Sequence, residues 1–209
     1  MTNSPFEPKL WTPRSVAETQ EVYAKWAGTY DKDVRGLSYA TPTRIADALS
    51  QVGAARQAAV LDFGCGTGLS GLALREAGFG VLDGTDISPE MLAQATERQI
   101  EGAPLYRKTW LSEAGTLSVS LGEYPIIVAT GVISLGAAPP STLALLLHKL
   151  TPGGLLAFSY NDPTLADPSY IATLDAIVEE GAAEVIFRAH GPHLSEKVTG
   201  SEVLILRRL

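Results

Sequence analysis

The chain has 209 residues, 45% hydrophobic and 19% charged, the balance of a compact protein with room for a substantial core. Its net charge of −7 argues against broad contact with a polyanion such as a nucleic acid, which needs clustered Lys and Arg, and favours a small-molecule partner. A single cysteine excludes an internal disulfide and a cysteine-rich metal site, and no apolar run is long enough for a bilayer; with no leader-like pattern in MTNSPFEPKLW, the expectation is a cytoplasmic protein without membrane contact.

Residues 1–14 carry three prolines and read as an extended arm. Val16, Gln20, Tyr23, Ala27 and Tyr30 then recur at helical spacing, which predicts one helix from Ser15 with a single face on the body. RGLSYATPT breaks it, and a second helix runs through Ile45, Leu49 and Val52 to Gly53. AAVLDFG, residues 58–64, is a short apolar strand of the kind buried on both faces of a parallel sheet. A helix over 69–77 ends before Gly78, and GVLDGTD is the next strand, ending at Asp86. Ser88 and Pro89 open a helix as N-cap and first residue, and Gly102 closes it. PLYRKTW and YPIIVATGVI are the third and fourth strands. Ser141 caps a helix with a stripe of Leu143, Leu146, Leu147 and Leu150, leaving His148 outward. TPGG turns the chain into LLAFSYND, the fifth strand. A helix through Ile171, Leu174 and Val178 leads to AEVIFRAH and SEVLILRRL, close enough in sequence to pair as a hairpin.

This alternation predicts an α/β fold: a doubly wound, mostly parallel seven-stranded sheet whose last strand is antiparallel, because a short connection cannot make a parallel crossover. The chain reads as one domain over 1–209, with 1–50 as arm and helical lid and 58–209 as a cofactor-binding core. Arg107-Lys108 and Arg207-Arg208, the densest basic spots, read as solvated strand ends.

Four glycines in eight positions, Gly64, Gly66, Gly68 and Gly71, follow the first strand. A tight turn into a helix can offer its backbone and positive end to a ligand. Gly66-x-Gly68-x-x-Gly71, with Asp86 about 20 residues on, formally fits a dinucleotide fingerprint, so a nicotinamide-dependent oxidoreductase is one alternative. Asp62 at the mouth of the turn opposes a diphosphate but suits a ligand bearing an ammonium and a sulfonium.

VLDFGCGTG, GTDISPEML and LTPGGLLAFSY together resemble the class I S-adenosylmethionine-dependent methyltransferases, a likeness covering residues 15–209. The segments around them resemble a small methyltransferase-like group with bacterial members and a human one from the Williams–Beuren region. Ala137 departs from the polar residue expected there. The resemblance implies that Gly64, Gly66 and Gly68 hold the methionine part of the cofactor, with Asp62 near its amino group. It implies that Asp86 accepts both ribose hydroxyls, that Ile87, Met91 and Trp110 meet the adenine, and that Thr130 and Gly131 border the reacting centre.

In such a sheet the ligand lies at the carboxyl ends of the strands. Tyr30, Tyr39, Tyr160 and the hairpin tip with His190 and His193 converge there as substrate residues. Tyr30, at the sulfonium side, and His193, as a base, are the catalytic candidates. Cys65 reads as a small turn residue, and no metal site is expected. Monomer and homodimer remain equal alternatives, and a non-catalytic cofactor-binding module on the same fold is the third reading.

Overall fold

The computed structural model describes residues 8–209, so half of the arm expected over 1–14 lies outside the described residues. Seven strands form one sheet: β1 (Ala59–Phe63), β2 (Val81–Asp86), β3 (Lys108–Leu111), β4 (Ile126–Ala129), β5 (Leu155–Asn161), β6 (Ala183–Pro192) and β7 (Gly200–Arg208). Their order is β3-β2-β1-β4-β5-β7-β6. All neighbours pair parallel except β7, which runs antiparallel to both β5 and β6. The chain moves outward from β1 to β3, then crosses back to place β4 on the other side of β1. A crevice therefore opens where the carboxyl ends of β1 and β4 diverge.

β1 shows why the central strands are largely apolar. Val60 belongs to the core that includes Ile45, Leu49 and Leu74 on one side of the sheet, and Leu61 to the core with Leu143, Leu146 and Phe158 on the other. Alternation with both faces covered yields a continuous hydrophobic run. Helices α3 (Thr41–Gln51) and α4 (Leu69–Glu76) contribute to the first layer, and α6 (Thr142–Leu147) and α8 (Pro168–Glu179) to the second. The buried stripe of α8 is Tyr170, Leu174 and Ile177; Val178, expected inside, faces outward.

The first helix is broken where one continuous helix was expected. A capping box between Ser15 and Glu18 starts α1 (Val16–Trp26), which stops before Gly28, and α2 (Tyr30–Gly36) begins anew. Asp33 Oδ2 accepts hydrogen bonds from Trp26 Nε1 and Thr29 Oγ1, both at 2.8 Å, and holds the turn closed. Pro8–Trp11 form a 3-10 turn.

Two boundaries also move. α5 (Pro89–Glu97) ends well before Gly102, which instead sits in the turn between the two-residue strands Gln99–Ile100 and Ala103–Pro104. β3 begins only at Lys108, because Leu105 and Tyr106 turn into the core. Ser141 makes no capping hydrogen bond. α7 (Asp162–Leu165) is capped by Asn161.

The basic spots have structural partners. Arg107 Nη2 reaches the buried Asp83 at 2.5 Å, and the Tyr124 hydroxyl donates to the same carboxylate at 2.7 Å. Burial alone would raise the Asp83 pKa; these donors and the nearby Lys108 outweigh it and hold it below the ordinary value. Arg207 pairs with Glu184 at 2.8 Å, and Arg208 donates to the Ala182 carbonyl. No helix among the described residues is long and apolar enough to cross a membrane.

Candidate functional site

A cavity of about 320 Å³ lies at the carboxyl ends of β1, β2 and β4. Gly64 and Gly66 form its floor, Asp86, Ile87 and Met91 one side, and Thr130, Gly131 and Val132 the other. Val16, Thr19 and Tyr23 of α1 roof it, and Ser112, Ala114 and Gly115 close the end beyond β3. Such a size and mixed lining suit a small-molecule site.

The turn after β1 needs glycine at position 64. Its φ is +69°, and a Cβ there would stand 2.4 Å from Val132 Cγ2. The loop donors are already engaged: Gly64 and Cys65 give their N–H groups to the Thr85 carbonyl, Gly68 to Cys65, and Gly66 to Asp86 Oδ2. Those four positions thus have no free donor for a phosphate. No Lys or Arg lines the cavity among the described residues either. The sequence expectation of outward-facing N–H groups is corrected at these positions.

Asp86 ends β2 at the cavity. Its Oδ2 accepts from Gly66 and its Oδ1 from Ser88, each at 2.8 Å. A carboxylate oxygen can accept two hydrogen bonds, so each retains capacity for a hydroxyl. Burial raises the Asp86 pKa, although three backbone N–H groups oppose the shift.

Six expected cofactor or substrate residues, Asp62, Gly68, Trp110, Tyr160, His190 and His193, do not line this cavity. Asp62 is fully buried beneath the loop, where Ser70 Oγ and the Tyr106 hydroxyl donate to its Oδ2 at 2.5 and 2.6 Å; its Oδ1 has no hydrogen-bond partner. Gly68 is the N-cap of α4, with Leu105 and Arg98 within 3.3 Å of where its Cβ would stand. Trp110 packs in the second core layer with Lys108 Nζ 5.2 Å from its ring centre, and Ser112, Ala114 and Gly115 line the cavity beyond β3 instead. Tyr160 is fully buried between Phe158 and Tyr170, with ring centres 5.1 and 5.6 Å away. One step along β5, Asn161 points the other way and does reach the site. Gly71 has a packing role: a Cβ there would lie 2.4 Å from the Tyr106 hydroxyl that reaches Asp62.

A second chamber of about 60 Å³ adjoins the first, sharing Tyr23, Tyr30, Tyr39, Gly131 and Ala137 with it. Trp11, Trp26, Asn161 and His193 are among its remaining walls. Burial raises the pKa of both Tyr30 and Tyr39, so both phenols are neutral. His193 is buried, its Nδ1 2.7 Å from Thr41 Oγ1 and its ring edge-on to Tyr39. Burial lowers its pKa to about 4. His190 lies outside the chamber: β6 extends to Pro192, and His190 is exposed there, bonded to Asp162 Oδ1 at 2.8 Å. Cys65 is buried with its thiol pKa raised by burial, which suits a packing role. No cluster of metal-ligating residues occurs among the described residues.

The N-terminal helices are tied to the loop. Thr67 Oγ1 donates to Asp31 Oδ1 at 2.5 Å, Arg98 pairs with Asp31, and Arg98 Nε donates to the Thr67 carbonyl at 2.6 Å. Gln20 donates to the Ile87 carbonyl at 3.0 Å. Sequence reading missed these ties, along with Ser112, Val132 and Leu145; no local pattern marks contacts between such distant segments.

The strand order, the glycine turn without phosphate donors and the acid ending β2 define a class I S-adenosylmethionine-dependent methyltransferase. The comparisons agree. The family described as "Methyltransferase domain" matches residues 37–196, and the chain belongs to it. Methyltransferase-like protein 27 of Homo sapiens is 34% identical over 176 residues, covering 81% of this chain and 69% of that protein. The 18S rRNA (guanine(1575)-N(7))-methyltransferase of Saccharomyces cerevisiae is 54% identical over 43 residues, 21% of this chain and 16% of that protein. Magnesium protoporphyrin IX methyltransferase from Synechocystis PCC 6803, solved with bound SAM, superposes with a TM-score of 0.66 at 17% identity. That superposition covers 95% of this chain and all of the other, and shows a shared fold.

Proposed function

We propose that the acceptor of the methyl group is a small molecule, seated in the chamber behind Tyr30 and Tyr39. The observation that supports this is the junction of the two cavities at Tyr30, Tyr39 and Gly131, where one ligand can present an atom to another across a shared wall. S-adenosylmethionine, when bound, supplies an electrophilic methyl group on a sulfonium. Gly64 and Gly66 give it a flat seat, Asp86 takes its sugar hydroxyls, and Ile87 and Met91 flank its base. Thr130 and Gly131 lie toward the chamber.

The residues around the chamber orient the acceptor and exclude water, the means by which two groups are held near ~3–3.5 Å for reaction. Tyr30 and Tyr39 are neutral and form the gate between the compartments. No Asp or Glu lines the chamber among the described residues. A nucleophile carrying its own lone pair, such as a neutral amine, fits this setting without a dedicated base.

The rRNA-methylating relative favours a second reading, in which the acceptor is a nucleic acid. The net charge of −7 and the partnered Arg107 and Arg207 oppose it. Incubating the protein with S-adenosylmethionine labelled on its methyl carbon and a cell extract tests both. Label in the small-molecule fraction supports the proposal; label confined to RNA or protein overturns it.

A further inference from the structure

His193 sits at the end of a chain of hydrogen bonds that reads in one direction only. Arg44, which is always charged, donates from Nη1 to Ser201 Oγ at 2.9 Å. Ser201 Oγ is 3.0 Å from Thr41 Oγ1, and Thr41 Oγ1 is 2.7 Å from His193 Nδ1. Thr41 and Ser201 are both fully buried. Since Ser201 Oγ accepts from a guanidinium, its own proton points away, and Thr41 Oγ1 is the acceptor in reach. Thr41 in turn has His193 Nδ1 before it. The opposite polarity would leave the Ser201 proton without a partner inside the protein, a cost of about 1–3 kcal/mol. Each hydroxyl therefore accepts once and donates once, and Nδ1 accepts.

An imidazole that accepts at Nδ1 and is neutral carries its proton on Nε2. Burial disfavours the imidazolium, and the Arg44 charge adds to that. The nearby Asp162 acts the other way but is engaged by His190. The ring is also held from its backbone, since Ala40 donates to the His193 carbonyl and His193 to that of Thr199, each at 2.9 Å. Arg44 locks the same hairpin end through the Ala189 and Pro192 carbonyls.

We infer that His193 is a fixed hydrogen-bond donor to the methyl acceptor, and that the chamber selects an uncharged, flat group bearing an acceptor atom, a carbonyl oxygen or a pyridine-type nitrogen. This replaces the sequence expectation of a general base and rests on reading the chamber as the acceptor site. The lining supports the substrate class: Trp11, Tyr23, Trp26, Tyr30 and Tyr39 supply aromatic walls, and none of the lining residues is Lys, Arg, Asp or Glu. A charged group would enter without a counter-charge, whereas a planar neutral one stacks and meets one donor.

The first test is the tautomer, read by nitrogen-15 NMR on histidine-labelled protein without ligands; His148 and His190, both exposed, serve as internal references. His193 is expected to hold a proton on Nε2 and none on Nδ1 throughout the neutral range, and Thr41→Val to mix the tautomers. A proton on Nδ1, or an imidazolium at neutral pH, overturns the inference. The second test uses pyridine and benzene as probes of one shape with and without an acceptor nitrogen. The preference for pyridine over benzene should fall about five- to tenfold in His193→Leu, the range of one hydrogen bond. It should survive in His193→Gln, whose amide N–H can stand where Nε2–H does. An unchanged preference in His193→Leu refutes the donor role. Label transfer only to RNA would instead defeat the small-molecule reading while the tautomer and probe results stood.

Discussion

Gly66 gives its backbone N–H to Asp86 Oδ2 at 2.8 Å, so the carboxylate that ends β2 also fixes the loop that ends β1. One side chain thereby sets both the floor and the side of the larger cavity. Asp86→Ala should weaken S-adenosylmethionine binding by about a hundredfold, through loss of two charge-assisted hydrogen bonds and a loosened loop. Asp86→Asn should fall between, because Gly66 and Ser88 donate to different oxygens and its amide NH2 replaces one of them. Titration calorimetry reads both, and undiminished affinity in Asp86→Ala would contradict the role given to this residue.

Val132 fills the space that a side chain at position 64 would need, with Cγ2 2.4 Å from the added carbon. Gly64→Ala should lower stability by about 1–3 kcal/mol, from the positive φ together with the collision. Val132→Ala in the same chain should recover the collision part and leave the backbone part. Denaturant unfolding of the two single variants and the double variant measures that coupling; strictly additive losses would show that the collision relaxes at no cost.

Asp31 joins α2 to the glycine loop through Thr67 and Arg98. Asp31→Ala should cost about 1 kcal/mol of stability, because the pair is partly exposed, and should raise amide exchange over residues 30–36 more than in β1. If the N-terminal helices act as a lid, cofactor should slow exchange over residues 15–45 in the native chain. Equal protection with and without cofactor would show that they do not close on it.

Asp62 lies beneath the loop, and burial raises its pKa to about 6 from an ordinary 3.8, against the lowering effect of Ser70 and Tyr106. The folded state therefore binds this proton more tightly than the unfolded chain does. Its contribution favours folding at acid pH and is lost as pH rises from about 4 through about 6, a span worth about 3 kcal/mol. Asp62→Asn should flatten that part of the stability profile relative to the native chain. Parallel profiles for the two proteins across that window would refute the shift.

Much of the architecture was legible because it is written locally. The apolar run of β1, the Ser88-Pro89 helix start and the short link between β6 and β7 each act within a few residues, and each was read in its place. Gly64, Gly66, Asp86, Ile87, Met91, Thr130 and Gly131, singled out in the sequence, all line the larger cavity. Tyr160 and Trp110 were misplaced for a shared reason, whereas His190 stands on a strand that runs two residues further than expected. A strand turns successive side chains to opposite faces, so an error of one residue in where a strand ends exchanges inside for outside.

By itself the sequence determined the succession of the seven sheet strands, the antiparallel last strand and the glycine turn paired with an acid ending β2, since periodicity, caps and turn chemistry are short-range. Tertiary structure alone decided where the loop N–H groups point, which aromatic rings wall the chamber and which nitrogen of His193 meets Thr41. Those depend on partners such as Asp31 and Thr67, or Thr41 and His193, that are far apart along the chain. Only packing brings them within hydrogen-bonding distance, and no local pattern of residues encodes that approach.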